Sequence, residues 1–171
     1  NSQPIKLGAG KEYWWGINTK YSSSLQFGSS FNNESVVVDL DKSKEVPWNI
    51  FGFSPYQWMR VDLSSIYSTS ALTFKLKTTE LPKLQAILFA YTGKKRRLHK
   101  ILNESHFIYR GNGVYEAYLP LKSLMGYSEF RWDALKEIRF KILEGTQCEI
   151  GDFQLIEFRG NPQKPTEWKG I

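Results

Sequence analysis

The sequence predicts an all-β fold, a β-sandwich of two antiparallel sheets in the jelly-roll form, on three observations. Apolar residues alternate with polar ones in several short segments, the pattern of strands with one buried and one wet face. β-Branched and aromatic residues gather in runs bounded by Gly, Pro, Asn and Ser. Helical periodicity is confined to two short stretches, 121–125 and 132–135, neither long enough to be an architectural helix.

Taken in order, the strand signals fall at 36–40, 58–63, 72–78, 84–91, 107–109, 114–119, 138–143 and 149–158. In 73–77, Phe74 and Leu76 face one way and Lys75 and Lys77 the other; 137–142 repeats this with Ile138, Phe140 and Ile142 against Arg139 and Lys141. Asn112-Gly113 and Thr92-Gly93 read as tight turns, and Gly145-Thr146-Gln147 separates the last two strands. Strands at this spacing in one unit suit a sandwich. Residues 1–158 form the expected single domain, and 159–171, with Pro162 and Pro165, read as a tail or linker.

Composition narrows the function. With 41% hydrophobic and 23% charged residues in 171, a packed core is expected and global disorder is not. No stretch approaches the ~18–20 apolar residues of a membrane span. Cys148 stands alone, so an internal disulfide is excluded, and with only His99 and His106 a Cys/His zinc site is not expected. The net charge of +6 is largely local: Lys94, Lys95, Arg96, Arg97 and Lys100 account for five units of it. That run reads as a cationic hairpin turn, and without a recognition helix or an aromatic-interleaved RNA motif, nucleic acid is not expected as the main partner.

Catalytic motifs are sparse. There is no Gly-x-Ser-x-Gly elbow and no His-Glu-x-x-His helix. The Gly8-Ala9-Gly10-Lys11 stretch lacks the rest of a phosphate loop, and Cys148 reads as a buried thiol. Glu116 and Glu149 sit in strands where paired carboxylates would serve a glycosidase. Gln85, His106, Tyr109 and Arg110 supply the residue types of a polysaccharide lyase. A small jelly-roll lyase or hydrolase is therefore the runner-up, and a protein-interaction sandwich the third reading. Asn33-Glu34-Ser35 and Asn103-Glu104-Ser105 are glycosylation sequons.

Aromatics make up 15% of the chain and cluster outside the alternating strands. Tyr13-Trp14-Trp15 lies in a polar context, and 48–58 holds Trp48, Phe51, Phe53, Tyr56 and Trp58 among loop residues. Flat rings of this kind stack on the apolar faces of pyranose sugars while Arg, Asp, Gln and Asn take the hydroxyls.

Four segments carry a family resemblance. Residues 57–64 (Gln-Trp-Met-Arg-Val-Asp-Leu-Ser) followed by 72–77, then 114–121 (Val-Tyr-Glu-Ala-Tyr-Leu-Pro-Leu), 135–140 and 148–155 resemble, in order and spacing, the strands of jelly-roll, galactose-binding-like carbohydrate-binding modules. The likeness spans 57–158. It implies a non-catalytic, secreted module, extracellular or periplasmic, that brings a polysaccharide-degrading enzyme in cis or in trans to its substrate. It also implies a structural calcium ion held by Asp152, although Gly151 stands where the family's closing motif has a first Asp.

On that reading, alternation leaves Trp58, Arg60, Asp62, Lys75, Lys77, Glu116, Tyr118, Arg139 and Lys141 outward. Trp58, Arg60, Tyr118 and Arg139 are the expected binding face, with Trp14, Trp15, Trp48 and Tyr56 as loop platforms. Neutral β-glucan is the default ligand, and the outward Lys75, Lys77, Arg139 and Lys141 admit an anionic polymer. Alternation does not say which strands share a face.

Overall fold

Strand sequences that alternate need two layers, because each buries only one side. The computed structural model, which describes residues 5–6, 14–15, 25–31, 35–39, 50–55, 60–91, 95–127, 129–145 and 147–157, has that form. Its strands are β1 (Ile5–Lys6), β2 (Trp14–Trp15), β3 (Leu25–Gly28), β4 (Ser35–Asp39), β5 (Ile50–Phe53), β6 (Ser70–Lys77), β7 (Lys83–Tyr91), β8 (Lys95–Ile101), β9 (Phe107–Gly111), β10 (Val114–Pro120), β11 (Met125–Gly126), β12 (Leu135–Glu144) and β13 (Gln147–Glu157). One sheet runs β3-β4-β13-β6-β10-β9, with β1 also on β13; the other runs β11-β8-β7-β12-β5-β2. All pairings are antiparallel. Among the described residues no helix is long and apolar enough to cross a membrane.

The inner faces meet in a phenylalanine stack. Phe51 and Phe53 from β5, Phe74 from β6, Phe140 from β12 and Phe153 from β13 are all sealed from water. Their ring centroids lie 4.5 Å apart for Phe53 and Phe153, 5.2 Å for Phe74 and Phe140, and 5.8 Å for Phe51 and Phe140. Removing one such ring costs about 3–5 kcal/mol, so this stack fixes how the two sheets sit on each other.

Three expectations need correction. The run after Trp58 is not a regular strand over 60–63: only Val61 bridges, to Leu135. Asp62 ends the extension by accepting hydrogen bonds from the Ser64 amide at 2.9 Å and hydroxyl at 2.6 Å. The aromatic stretch at 50–53 is a core strand rather than loop, with Phe51 and Phe53 facing in and Gly52 out. The basic run is likewise a strand: Lys95–Ile101 pairs along the length of β7.

Elsewhere the reading holds. The Asn112-Gly113 turn joins β9 to β10 with φ of 54° and 76°, the left-handed values that favour Asn and Gly. The two short helical signals are 3-10 turns, Leu121–Ser123 and Trp132–Ala134. The Thr92-Gly93 turn, the Gly8–Gly10 stretch, the first sequon and the 159–171 tail lie outside the described residues.

Candidate binding face of the six-stranded sheet

In β7, Leu84, Ala86, Leu88 and Ala90 point into the core, so Gln85, Ile87 and Phe89 point outward. Pairing carries that phase across the sheet. One row of aligned positions runs Trp15, Gly52, Arg139, Ile87, His99, Met125. A second holds Glu137, Phe89 and Arg97, and a third Ile50, Lys141, Gln85 and Ile101. The basic strand thus places Arg97 and His99 on the same outer face as Arg139, with β7 between them.

Arg139 organises the centre. Its guanidinium lies 4.1 Å from the Phe89 ring centroid and its Nη2 donates to Glu137 Oε2 at 2.5 Å. Glu137, Phe89 and Ile87 are buried beneath it, so a charged pair and two apolar side chains form a fixed floor. Gly52 allows this: a Cβ there would stand 2.6 Å from the Ile138 carbonyl oxygen and 3.1 Å from Arg139 Cγ.

Toward β11 the face opens. Arg97, His99, Gly126 and Tyr127 line a depression of about 290 Å³. Tyr127 is 51% exposed, its amide donates to the Arg97 carbonyl at 3.4 Å, and the Arg96 guanidinium sits 5.4 Å from its ring centroid. Met125 and Ile101 are exposed beside it. A larger depression, about 530 Å³, opens at one end of the sandwich between 80–83, 101–104 and 144–145. Its lining ring, Phe107, is taken up by an edge contact with Phe74 at 6.4 Å.

The outer face of the seven-stranded sheet is closed by its own polar groups. Lys75 pairs with Asp152 at 3.0 Å and Arg110 with Glu116 at 3.1 Å. Glu149 accepts from the Ser30 amide, the Ser30 hydroxyl and the Ser35 hydroxyl at 2.8, 2.7 and 2.5 Å. Burial raises the Glu149 carboxyl, but those donors and the charge of Lys77 outweigh it and hold the group below its ordinary range.

The residues expected to bind therefore separate. Arg139 and the Trp15 register position share a row on the six-stranded sheet. Trp14 is in register with Phe53, and Arg60 is exposed next to the Val61–Leu135 bridge at the start of β12. Tyr118 has the predicted outward phase but belongs to β10 in the other sheet. It is 4% exposed against Ala71 and Ile108, and burial pushes its phenol to about 12. Tyr118 and Arg139 thus lie on opposite sides of the sandwich. Lys75 and Lys77 are split from Arg139 and Lys141 in the same way. Trp48, Tyr56 and Trp58 lie outside the described residues.

Asp152 faces an ammonium and the Gln154 amide, which donates to it at 3.2 Å. Calcium wants six to eight oxygens. Among the described residues no three His, Cys, Asp or Glu side chains gather to hold a metal.

The lyase residue types do not converge either. Gln85 is on the six-stranded sheet, whereas Tyr109 and Arg110 are on β9 of the other. His106 is buried, its Nδ1 accepts from the Asn103 amide at 3.1 Å, and burial lowers its pKa. Cys148 is buried, and its thiol is pushed up to about 12.

Sequence reasoning missed Tyr127, Arg97 and His99 as members of the face that carries Arg139, and Glu137 as its ion-pair partner. The signal available was position alone: 95–101 follows an apolar strand and a Thr-Gly turn, where a hairpin partner belongs.

No family model matches the chain, and no curated protein matches it in sequence. Solved structures do match in fold. A family 30 carbohydrate-binding module aligns with a TM-score of 0.64 at 14% identity, covering 97% of this chain and 89% of its own. The family 11 carbohydrate-binding module of a Clostridium thermocellum cellulosomal cellulase aligns at 0.58 and 10% identity, covering 95% and 98%. The L4b domain of human laminin alpha-2 aligns at 0.59 and 12% identity, covering 92% and 98%. The chain shares the jelly-roll sandwich of these carbohydrate-binding modules, the fold its sequence resemblance implied.

Proposed function

We propose that this domain binds a polysaccharide across the outer face of the six-stranded sheet and has no chemistry of its own. The observation that carries this is Tyr127, a half-exposed ring that lines one depression with Arg97 and His99, on the same outer face as the Arg139–Glu137 pair two strands away from β8. A sugar ring stacks on such a phenol while guanidinium and imidazole groups take its hydroxyls, and Gln85, further along the face, meets a later sugar of the same chain. The likeness to carbohydrate-binding modules supports the same reading, though fold alone does not carry function. In this role the domain is extracellular or periplasmic and holds an attached or partner enzyme on its substrate.

Affinity electrophoresis of the full chain in gels containing β-glucan, xylan, mannan, agarose, alginate or a sulfated galactan tests the proposal. The expected result is retardation by at least one polymer, lost in Tyr127→Ala, with no reducing or unsaturated product released. Product release would replace it with the lyase or hydrolase reading. Retardation by none would favour a protein partner.

A further inference from the structure

We infer that the polymer taken by this face is anionic, bearing carboxylate or sulfate; the inference rests on the polysaccharide reading above and names its ligand class. The two outer faces of one sandwich differ in how their charges are met. On the seven-stranded sheet Lys75 and Arg110 each have a carboxylate partner, and Lys77 sits beside Glu149, its aligned neighbour. On the six-stranded sheet the central acid is Glu137, and Arg139 already occupies it. Glu144 is aligned with Lys83 at the far end. That leaves Arg97 and Lys141 facing outward; among the described residues neither has an ion-pair partner.

Solvated lysines and arginines are ordinary on a sheet, so position decides the argument. Arg97 lines the same depression as the exposed Tyr127 ring, so a sugar stacked on Tyr127 brings its ring substituent to a guanidinium that has no ion-pair partner among the described residues. The planar fork suits carboxylate and sulfate oxygens. Lys141 lies two strands over and four residues along, roughly 17 Å away by strand spacing and rise. A chain crossing the strands diagonally passes Tyr127 and Arg97, then His99, and ends at Gln85 and Lys141. Single-stranded nucleic acid is the less fitting polyanion, because its binders present successive aromatic platforms. Tyr127 is the one exposed ring among the described side chains of this face.

The test titrates the full chain with alginate, a sulfated galactan, mixed-linkage β-glucan and an oligothymidylate, at low and high salt. The variants are Arg97→Gln, Lys141→Gln, both together, and Lys122→Gln as an exposed control away from the face. Tight binding to alginate or the sulfated galactan is expected. It should weaken about two- to fivefold per cation removed and about tenfold in the double variant, fade with salt, and be unchanged in Lys122→Gln. Alginate alone would assign carboxylate, and the galactan alone sulfate. Binding confined to β-glucan and indifferent to these variants would overturn the anionic class and leave polysaccharide binding intact. Equal binding of the oligothymidylate would overturn it in favour of a general polyanion surface. Binding to no polymer would remove both readings.

Discussion

Glu149→Ala probes the polar clamp that closes the seven-stranded sheet. The carboxylate receives three donors, and their worth depends on where each donor goes when it is lost. Ser30 is exposed, so water replaces its two bonds and the net loss is about 0.5 kcal/mol or less apiece. Ser35 is fully buried, and its hydroxyl, 2.5 Å from Glu149 Oε2, would be stranded at a cost of about 1–2 kcal/mol. The sum, about 2 kcal/mol, lowers the melting temperature by about 4–8 °C for a domain of this size.

The clamp also has a pH signature. A carboxyl whose folded pKa is depressed contributes stability that is complete above its unfolded value, about 4.3 for Glu, and is lost as pH falls through the folded value. The gap between wild type and variant, measured by calorimetry from pH 7 down to about 3, should be widest at neutral pH and shrink below 4.3. Ser35→Ala should cost less than Glu149→Ala, and the two should be non-additive. A melting temperature within a degree of wild type at neutral pH, or a gap indifferent to pH, would refute the clamp.

Three further outcomes are expected. Gly52→Ala drives a Cβ against the Ile138 carbonyl and the Arg139 stem, so urea unfolding should show a loss of about 1–3 kcal/mol, and polymer binding should weaken with it. Cys148 should resist iodoacetamide at pH 8 until the domain unfolds, because burial removes both access and thiolate; rapid labelling of folded protein would contradict its placement. Asp152→Asn should cost about 0.5–1 kcal/mol through loss of the partly exposed Lys75 pair. The wild-type melting temperature should be the same in calcium and in chelator, and a calcium-dependent rise would show that Asp152 serves a metal after all.

The strands that could be read directly are those whose core-facing positions are apolar with period two. β6, β7 and β12 place Leu, Ile, Phe or Ala on the core side at every second position, with lysine or arginine between them in β6 and β12. β5 escaped because Phe51-Gly52-Phe53 is a single alternation inside an aromatic-rich stretch, and the phase became visible only through its pairing with β12. β8 escaped for the opposite reason: Leu98 is its one fully apolar inward residue, flanked by cations, and the strand exists because β7 offers it a ladder. Arg139 was legible because its phase follows from Ile138 and Phe140. Tyr127 was not, since β11 is two residues long and carries no period. Phase gives a side but not a sheet, and so Tyr118 and Arg139 were both rightly outward and yet on opposite sides of the molecule.

The cations of β8 have a rival explanation that the same strand geometry can decide. β11 covers β8 only at Leu98 and His99, so the rest of β8 is close to a free edge, and Lys and Arg on such an edge discourage pairing with another chain. Edge protection needs charge of either sign; anion binding needs positive charge at particular outward positions. Arg97→Glu separates them. If edge protection is the whole role, the variant sediments as the wild type does and keeps its affinity for polymer. If Arg97 meets the anionic group of a sugar stacked on Tyr127, the variant sediments as the wild type does but loses anionic-polymer binding well beyond the loss in Arg97→Gln, because repulsion replaces attraction. Arg96, on the strand's other side, pairs with Glu129 at 3.4 Å and lies 5.4 Å from the Tyr127 ring centroid, so Arg96→Glu should disturb both contacts and weaken binding through the ring while the dependence on Arg97 persists. Equal binding by wild type and Arg97→Glu would return the basic strand to edge protection alone.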